Sequence, residues 1–343
     1  MSRDRSPRRS PGPRRPRMPR RLGRGALTAA SVTVLSVTAS GCVVVHGERE
    51  ILPGATKSEA ARALRDFTAA YNEANGANDP SLDADRVTGA LGDIDGAKLK
   101  AGGKNQPGGN TGYVPLKLTD TEFTIPEKAG WPRWFVTDSK ANKGRAEDRW
   151  LMVFTRSDAN EVWQVAYLTI SSADEIPTFK KNADGWAEPV TANAADLAVA
   201  PGKLPQQYAT YLKDGGSTFA DGAHTTKWRS DRAKSAARPG LAQQYIDEPL
   251  TSGDYAPVGL RTADGGALVF FTTRHYQKQT AAQGVPINVT NADVKALMTG
   301  DPKQSLTLES ISNQAVLDPP KSASDQRIKF LSRIQGLTAA KGE

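Results

Sequence analysis

The chain has 343 residues, 45 Lys+Arg against 37 Asp+Glu, a formal net charge of +8 and a single cysteine. The basic excess is local: residues 1–41 hold ten arginines and one acid, so residues 42–343 carry 35 basic against 36 acidic residues, net −1. That removes the electrostatic argument for nucleic-acid binding, and one cysteine excludes an intrachain disulfide and a cysteine-rich zinc or iron–sulfur site.

The leader comes first in the chain and carries the sharpest signal. A Pro/Arg/Ser tract over residues 3–17 is followed by Arg20, Arg21 and Arg24, and then by an uncharged run from Gly25 to Ser40. That run is shorter than the ~20 residues a membrane-spanning helix needs. A positive n-region, a short apolar h-region and small residues at its end predict a secretory signal peptide over residues 1–41. Met18-Pro-Arg-Arg-Leu-Gly-Arg24 is itself a complete n-region, and Arg20-Arg21 lacks the apolar pair that twin-arginine export prefers. The segment Ala39-Ser40-Gly41-Cys42 resembles the bacterial lipobox, with Ala39 where Leu is usual. The resemblance implies cleavage between Gly41 and Cys42, a diacylglyceryl thioether on Cys42, and a mature protein held on the outer face of the cell membrane. One acyl chain anchors marginally, whereas two anchor stably.

Behind the anchor, residues 42–57 read as a tether, 58–190 as a first α+β domain, 191–202 as a linker and 203–343 as a second α+β domain. Ser58 is the expected cap of a helix whose Ala60, Ala63, Leu64, Phe67 and Tyr71 share one face, ending near Gly76. Residues 82–99 predict a weaker helical stretch or turns, and the five glycines of residues 101–112 predict a flexible loop. Strands are expected at 121–125, 134–137, 150–156 and 162–171, the last apolar at both odd and even positions and so buried on both faces. The second half predicts helices at 204–212 and 223–237, a third at 241–246, and strands at 256–261, 267–275 and 305–316. Leu151-Met-Val-Phe-Thr155 lies close in sequence to Leu268-Val-Phe-Phe-Thr272, which, with the shared helix-then-strand order, suggests tandem repetition.

Helices followed by an antiparallel meander resemble the cystatin-like, SnoaL-like cone folds, and the Trp163-Gln-Val-Ala-Tyr167 strand is similar to their central strands. The expected fold is therefore α+β, two tandem cystatin-like units in which helices pack on a curved antiparallel sheet. With Trp131-Pro-Arg-Trp-Phe-Val-Thr137 as a landmark, the chain resembles an actinobacterial (streptomycete-type) lipoprotein family of uncharacterised function. That resemblance implies a location and a fold but no activity.

Motifs for chemistry are sparse. His46, His224 and His275 have no zinc spacing and read as surface or boundary residues; no Gly-x-Ser-x-Gly elbow exists, and a Ser/His/Asp set around His275 is no more than any chain of this length offers. Asp93-Ile-Asp-Gly96 fails the calcium-loop register and reads as a turn, and no cofactor motif or metal site is expected. Five of six tryptophans (131, 134, 150, 163 and 186) fall in the first half. They read mainly as core, with Trp134, Trp150, Trp163 and Tyr167 the candidate lining of a ligand cleft. Lys227, Arg229, Arg232, Lys234 and Arg238 around Trp228 read as a solvated helix face, or as a surface for anionic headgroups. The functional expectation is a non-catalytic binding or interaction module at the cell envelope. Its partners are the membrane and either an envelope protein or a small ligand. The alternative is a small-molecule-binding or hydrolytic enzyme using a cone-shaped cavity.

Overall fold

The computed structural model describes residues 50–343. The signal peptide, Gly41, Cys42, His46 and most of the tether lie outside the described residues.

The chain enters through a short strand, β1 (Ile51–Pro53), and then forms α1 (Lys57–Ala77). The helix begins one residue before Ser58, because Thr56 rather than Ser58 is the cap. The Thr56 hydroxyl accepts from the Glu59 N–H at 3.1 Å, and Glu59 accepts from the Thr56 N–H at 2.8 Å. Such a reciprocal box satisfies two otherwise orphaned donors. The apolar face is the expected one, with Ala60, Ala63, Leu64 and Phe67 buried. Next comes α2 (Gly89–Asn105), which absorbs the Asp93–Gly96 stretch and extends into the segment expected to be loop. Close packing explains the glycines there. A Cβ on Gly102 would sit 2.7 Å from Asn78 Oδ1, and one on Gly103 2.8 Å from the Asn78 carbonyl. They let α2 press against the end of α1; they do not loosen the chain.

The first sheet contains β2 (Leu118–Thr124), β4 (Arg133–Ala141), β5 (Asp148–Arg156) and β6 (Gln164–Ser172) in the order β2-β4-β5-β6, all antiparallel; β3 (Glu127–Ala129) pairs separately with β1. Strand alternation sorts its side chains. Phe135, Trp150, Met152 and Phe154 pack toward α1 and α2, while Trp134, Val136, Leu151 and Val153 point to the opposite face. Val165, Ala166, Tyr167 and Leu168 of β6 are all buried, as their two-sided apolar pattern predicts.

The second half also places two helices ahead of a sheet, here of eight strands, with a further helix inserted. It comprises β7 (Pro189–Val190), α3 (Leu204–Asp214), α4 (Thr226–Ser235), β8 (Ala237–Arg238), β9 (Leu241–Leu250), β10 (Val258–Arg261), β11 (Ala267–Ala281), α5 (Ala292–Leu297), β12 (Met298–Thr299), β13 (Ser305–Asp318) and β14 (Lys329–Gly342). β7 pairs with β10 much as β1 pairs with β3, and β9 and β10 lie end to end along one side of β11. Residues 241–246, expected to be a third helix, are strand. Their neutral local propensity yields to a continuous ladder in which Leu241 to Leu250 pair with Ala281 to Thr272. Of the two similar pentapeptides, 151–155 lies in β5, between β4 and β6, and 268–272 lies in β11, between β13 and the end-to-end pair β9 and β10.

Leu268 and Phe270 of β11 with Ala315 of β13 meet the outer face of the first sheet, whereas Ala267, Val269 and Phe271 meet Leu204, Tyr208 and Leu212 of α3. The result is an α+β stack: helices, antiparallel sheet, antiparallel sheet, helices. Asn313, fully buried between the sheets, donates to the Leu168 carbonyl at 2.7 Å. The described residues cluster as one compact unit.

Candidate functional site

The interiors between helix and sheet are filled by aromatic and aliphatic side chains in both halves. An opening lies elsewhere, between the two sheets. A cavity of about 450 Å³ is walled by Trp131 and Pro132 ahead of β4, Val153 and Thr155 of β5, Ala166 and Tyr167 of β6, and the 253–258 segment ahead of and into β10. The volume falls within the ~300–1,000 Å³ usual for small-molecule sites. Its lining is mainly apolar, with a few polar groups at the edge: Thr155, Ser157 and Asp254.

Each wall is held from behind. The fully buried Tyr167 donates its hydroxyl to the Ala256 carbonyl at 3.0 Å and packs its ring 6.0 Å from Phe270. Burial pushes its phenol well above the usual range, so it remains a neutral donor. Asp254 accepts from the Thr88 hydroxyl at 2.6 Å. Gly89, with φ +53°, passes so close to the Asp254 carbonyl that a Cβ there would clash with it. The start of α2 thus fixes the loop that closes the cavity.

Of the four cleft candidates, Tyr167 reaches the cavity. Trp134 is buried in the inter-sheet core, whereas Trp150 and Trp163 point to the helix side of the same sheet. Trp163 lies 4.8 Å from Phe135, edge to face. Trp131, from the same tryptophan cluster, supplies the aromatic wall instead. The arginine side chains of Arg133 and Arg156 lie 5.0 and 5.2 Å from its ring. Gly253, Asp254, Ala256 and Val258 carried no site signal in the sequence beyond the strand expected at 256–261, since they meet Tyr167 only through a contact 89 residues apart in the chain.

A second constellation joins α4 to the second sheet. Arg232 donates to both oxygens of Asp247 at 2.7 and 2.9 Å, and His275 Nδ1 meets Asp247 Oδ1 at 2.6 Å. His275 Nε2 lies 2.6 Å from Ser312 Oγ. His275 is therefore buried, not a boundary residue, and it does meet an aspartate and a serine. As a nucleophile Ser312 is closed off: it is wholly buried among Thr273 and Gln314, and the adjacent pocket of about 90 Å³ does not include it in its walls. Arg232 also stacks 3.8 Å from the Trp228 ring, with Arg333 at 3.3 Å from the same ring. The basic helix is thus partly an inward anchor: Arg232 is buried and Arg229 donates to the Leu212 carbonyl at 3.3 Å.

A third cluster is acidic. The carboxyls of Asp83 and Asp95 are buried against each other, and burial with mutual repulsion pushes Asp83 up to about 8. Burial raises Asp95 as well, opposed by Lys98. The pair therefore holds a proton at neutral pH. A carboxyl raised in the folded state is a cost that accrues as pH climbs from the ordinary carboxylate range toward the raised value. Replacing Asp83 with Asn is expected to stabilise the protein by about 1–3 kcal/mol at pH 9, the scale of one poorly satisfied buried polar group. The gain should shrink at pH 5, and thermal melts of both proteins at the two pH values check the sign.

A domain of unknown function, DUF8094, matches residues 52–342. The chain belongs to this family. An uncharacterised lipoprotein of Streptomyces avermitilis is 66% identical over 324 residues, covering 94% of this chain and 97% of that one. An uncharacterised lipoprotein of Streptomyces coelicolor is 60% identical over the full length of both chains, and another from the same species is 27% identical over 92% of each. No solved structure matches. The DUF8094 relatives are lipoproteins of streptomycetes, in agreement with the family expected from the leader and the Trp131–Thr137 tract. No helix among the described residues is long and apolar enough to cross a membrane.

Proposed function

We propose that this DUF8094 protein is an extracytoplasmic binding lipoprotein, anchored through Cys42, that holds a small, mainly apolar ligand between two cystatin-like units. The two units would be residues 58–190 and 203–343, bridged by the 191–202 linker. The recurrent order of short strand, two helices and antiparallel meander supports that division. The observation that carries the binding role is the inter-sheet cavity of about 450 Å³, bounded by Trp131, Tyr167 and the 253–258 segment. Cavities of that size lined by apolar and aromatic groups are the usual form of small-molecule sites. Filled helix–sheet interiors argue against the cone itself as the binding place.

Photolabelling tests this. The full lipidated protein on phosphatidylcholine vesicles is irradiated with a diazirine-bearing long-chain alkanol, and the labelled peptides are mapped. Label is expected on the peptides carrying Trp131 and residues 253–258. It should fall at least tenfold in Ala256→Phe, which places a ring into the cavity from a half-buried position. Label scattered over the surface, unchanged in that variant, would sink the reading.

A further inference from the structure

We infer that the ligand is an anionic phospholipid drawn from the anchoring membrane, one acyl chain in the inter-sheet cavity and its phosphate on Arg133 and Arg156. The inference rests on the binding reading above and on Cys42 as the anchor.

The first argument is position. Eight residues separate Cys42 from Ile51, so Ile51 can lie no more than about 30 Å from the lipidated residue. Ile51 pairs with Ala129, and two residues later the chain reaches Trp131, a wall of the cavity. The Trp131 wall of the cavity and the point where the chain leaves for its anchor therefore lie close together. Ile51 is 65% exposed, and Val162, in the connection between β5 and β6, is 39% exposed. Exposed apolar side chains beside cations suit a membrane interface.

Charge supplies the second argument. Arg133 and Arg156 are direct cross-strand partners, a juxtaposition of like charges that weakens a sheet unless something offsets it. What offsets it here is incomplete. Both arginine side chains lie against Trp131, Arg156 also against Trp163 at 4.7 Å, and Arg133 donates to the Pro53 carbonyl at 3.2 Å. The carboxylate of Glu59 approaches Arg156 only to 4.0 Å through Oε1 while its other oxygen serves the α1 cap. The Nε atoms of both arginines are buried without a hydrogen-bond partner. Nearby, burial and the charge of Arg133 hold the Lys128 amine below its ordinary value, a sign of the local positive field. A phosphate would accept from the two guanidiniums. Trp131 separates this cationic end from the apolar cavity, so a headgroup and its chain would lie on either side of one indole.

The test uses the full lipidated protein on vesicles doped with phosphatidylglycerol or with phosphatidylcholine, each carrying a diazirine in one acyl chain. Phosphatidylglycerol is expected to label the 253–258 peptide at least fivefold more than phosphatidylcholine. The Arg133→Gln/Arg156→Gln variant should erase that preference, and a cooperative thermal melt shows that the variant is folded. Ala256→Phe should remove both labels. Alkanol in the cavity with no phospholipid label overturns the lipid assignment and leaves the binding reading standing. Equal labelling by the two phospholipids, indifferent to the arginines, overturns the headgroup assignment. Absence of both kinds of label overturns the two readings together.

Discussion

Replacing Cys42 with alanine is expected to abolish lipid attachment altogether. The wild-type protein should be recovered without residues 1–41 and with a diacylglyceryl mass on Cys42, partitioning into detergent. The variant should carry no lipid mass and keep its leader, because the thioether is what the lipobox resemblance implies is recognised before cleavage. The size of the effect follows from chain length: each buried CH₂ contributes ~0.8 kcal/mol, so two long chains anchor the protein for practical purposes permanently. No helix among the described residues is long and apolar enough to take its place by crossing the membrane. Intact mass spectrometry decides it, and wild-type protein with a free Cys42 thiol would contradict the expectation.

The second large effect concerns Arg232. Its ion pair with Asp247 is almost wholly shielded from solvent, with side chains 10% and 5% exposed. Removing one partner from such a pair leaves an uncompensated buried charge and costs about 3–5 kcal/mol. For a chain of this size that corresponds to a melting point lower by about 5–8 °C. Arg232→Ala should therefore be among the most damaging single changes, although the helix that carries it looks like a solvated basic face. A double change, Arg232→Met with Asp247→Leu, should cost less than the single one, since no orphaned charge remains. A double change that costs the sum of both singles would show that the pair is not coupled.

The same network gives the pH response a sign. Burial holds His275 below its ordinary value despite Asp247, so it is neutral in the fold. Burial pushes the Asp247 carboxyl up, but hydrogen bonds from His275 and Arg232 leave it below the ordinary range. Both groups thus contribute stability above their unfolded values and lose it as pH falls, His275 from about 6.5 downward and Asp247 further into acid. This acid loss is opposite in direction to the Asp83–Asp95 pair, which weakens the fold as pH rises. Maximum stability should lie between the two windows.

What the sequence made legible follows from what is local. The α1 face, the four strands of the first sheet and the two-sided burial of β6 rest on periodicity, which tertiary packing only had to respect. The leader is local in the same sense. Glycine chemistry misled where a close approach rather than a turn required it, as at Gly102 and Gly103 against Asn78. Residues 241–246 misled because an edge strand is decided by its partner, here β11, more than by its own propensity. The candidate site was half visible. An aromatic cluster was evident, but a strand sends alternate side chains to opposite faces, and the choice of Trp134, Trp150 and Trp163 could not say which face held the cavity. Tyr167 was on the right one. The meeting of Asp247, His275 and Ser312 exists only through strand pairing, and the opposing wall at 253–258 meets Tyr167 across 89 residues of chain.

Native mass spectrometry of the lipidated protein, isolated from its own membrane beside Ala256→Phe, decides whether the inter-sheet cavity holds a ligand. The inter-sheet cavity as ligand site predicts a one-to-one noncovalent adduct on the wild type that is missing from the variant. No adduct on either protein, or the same adduct on both, would contradict it.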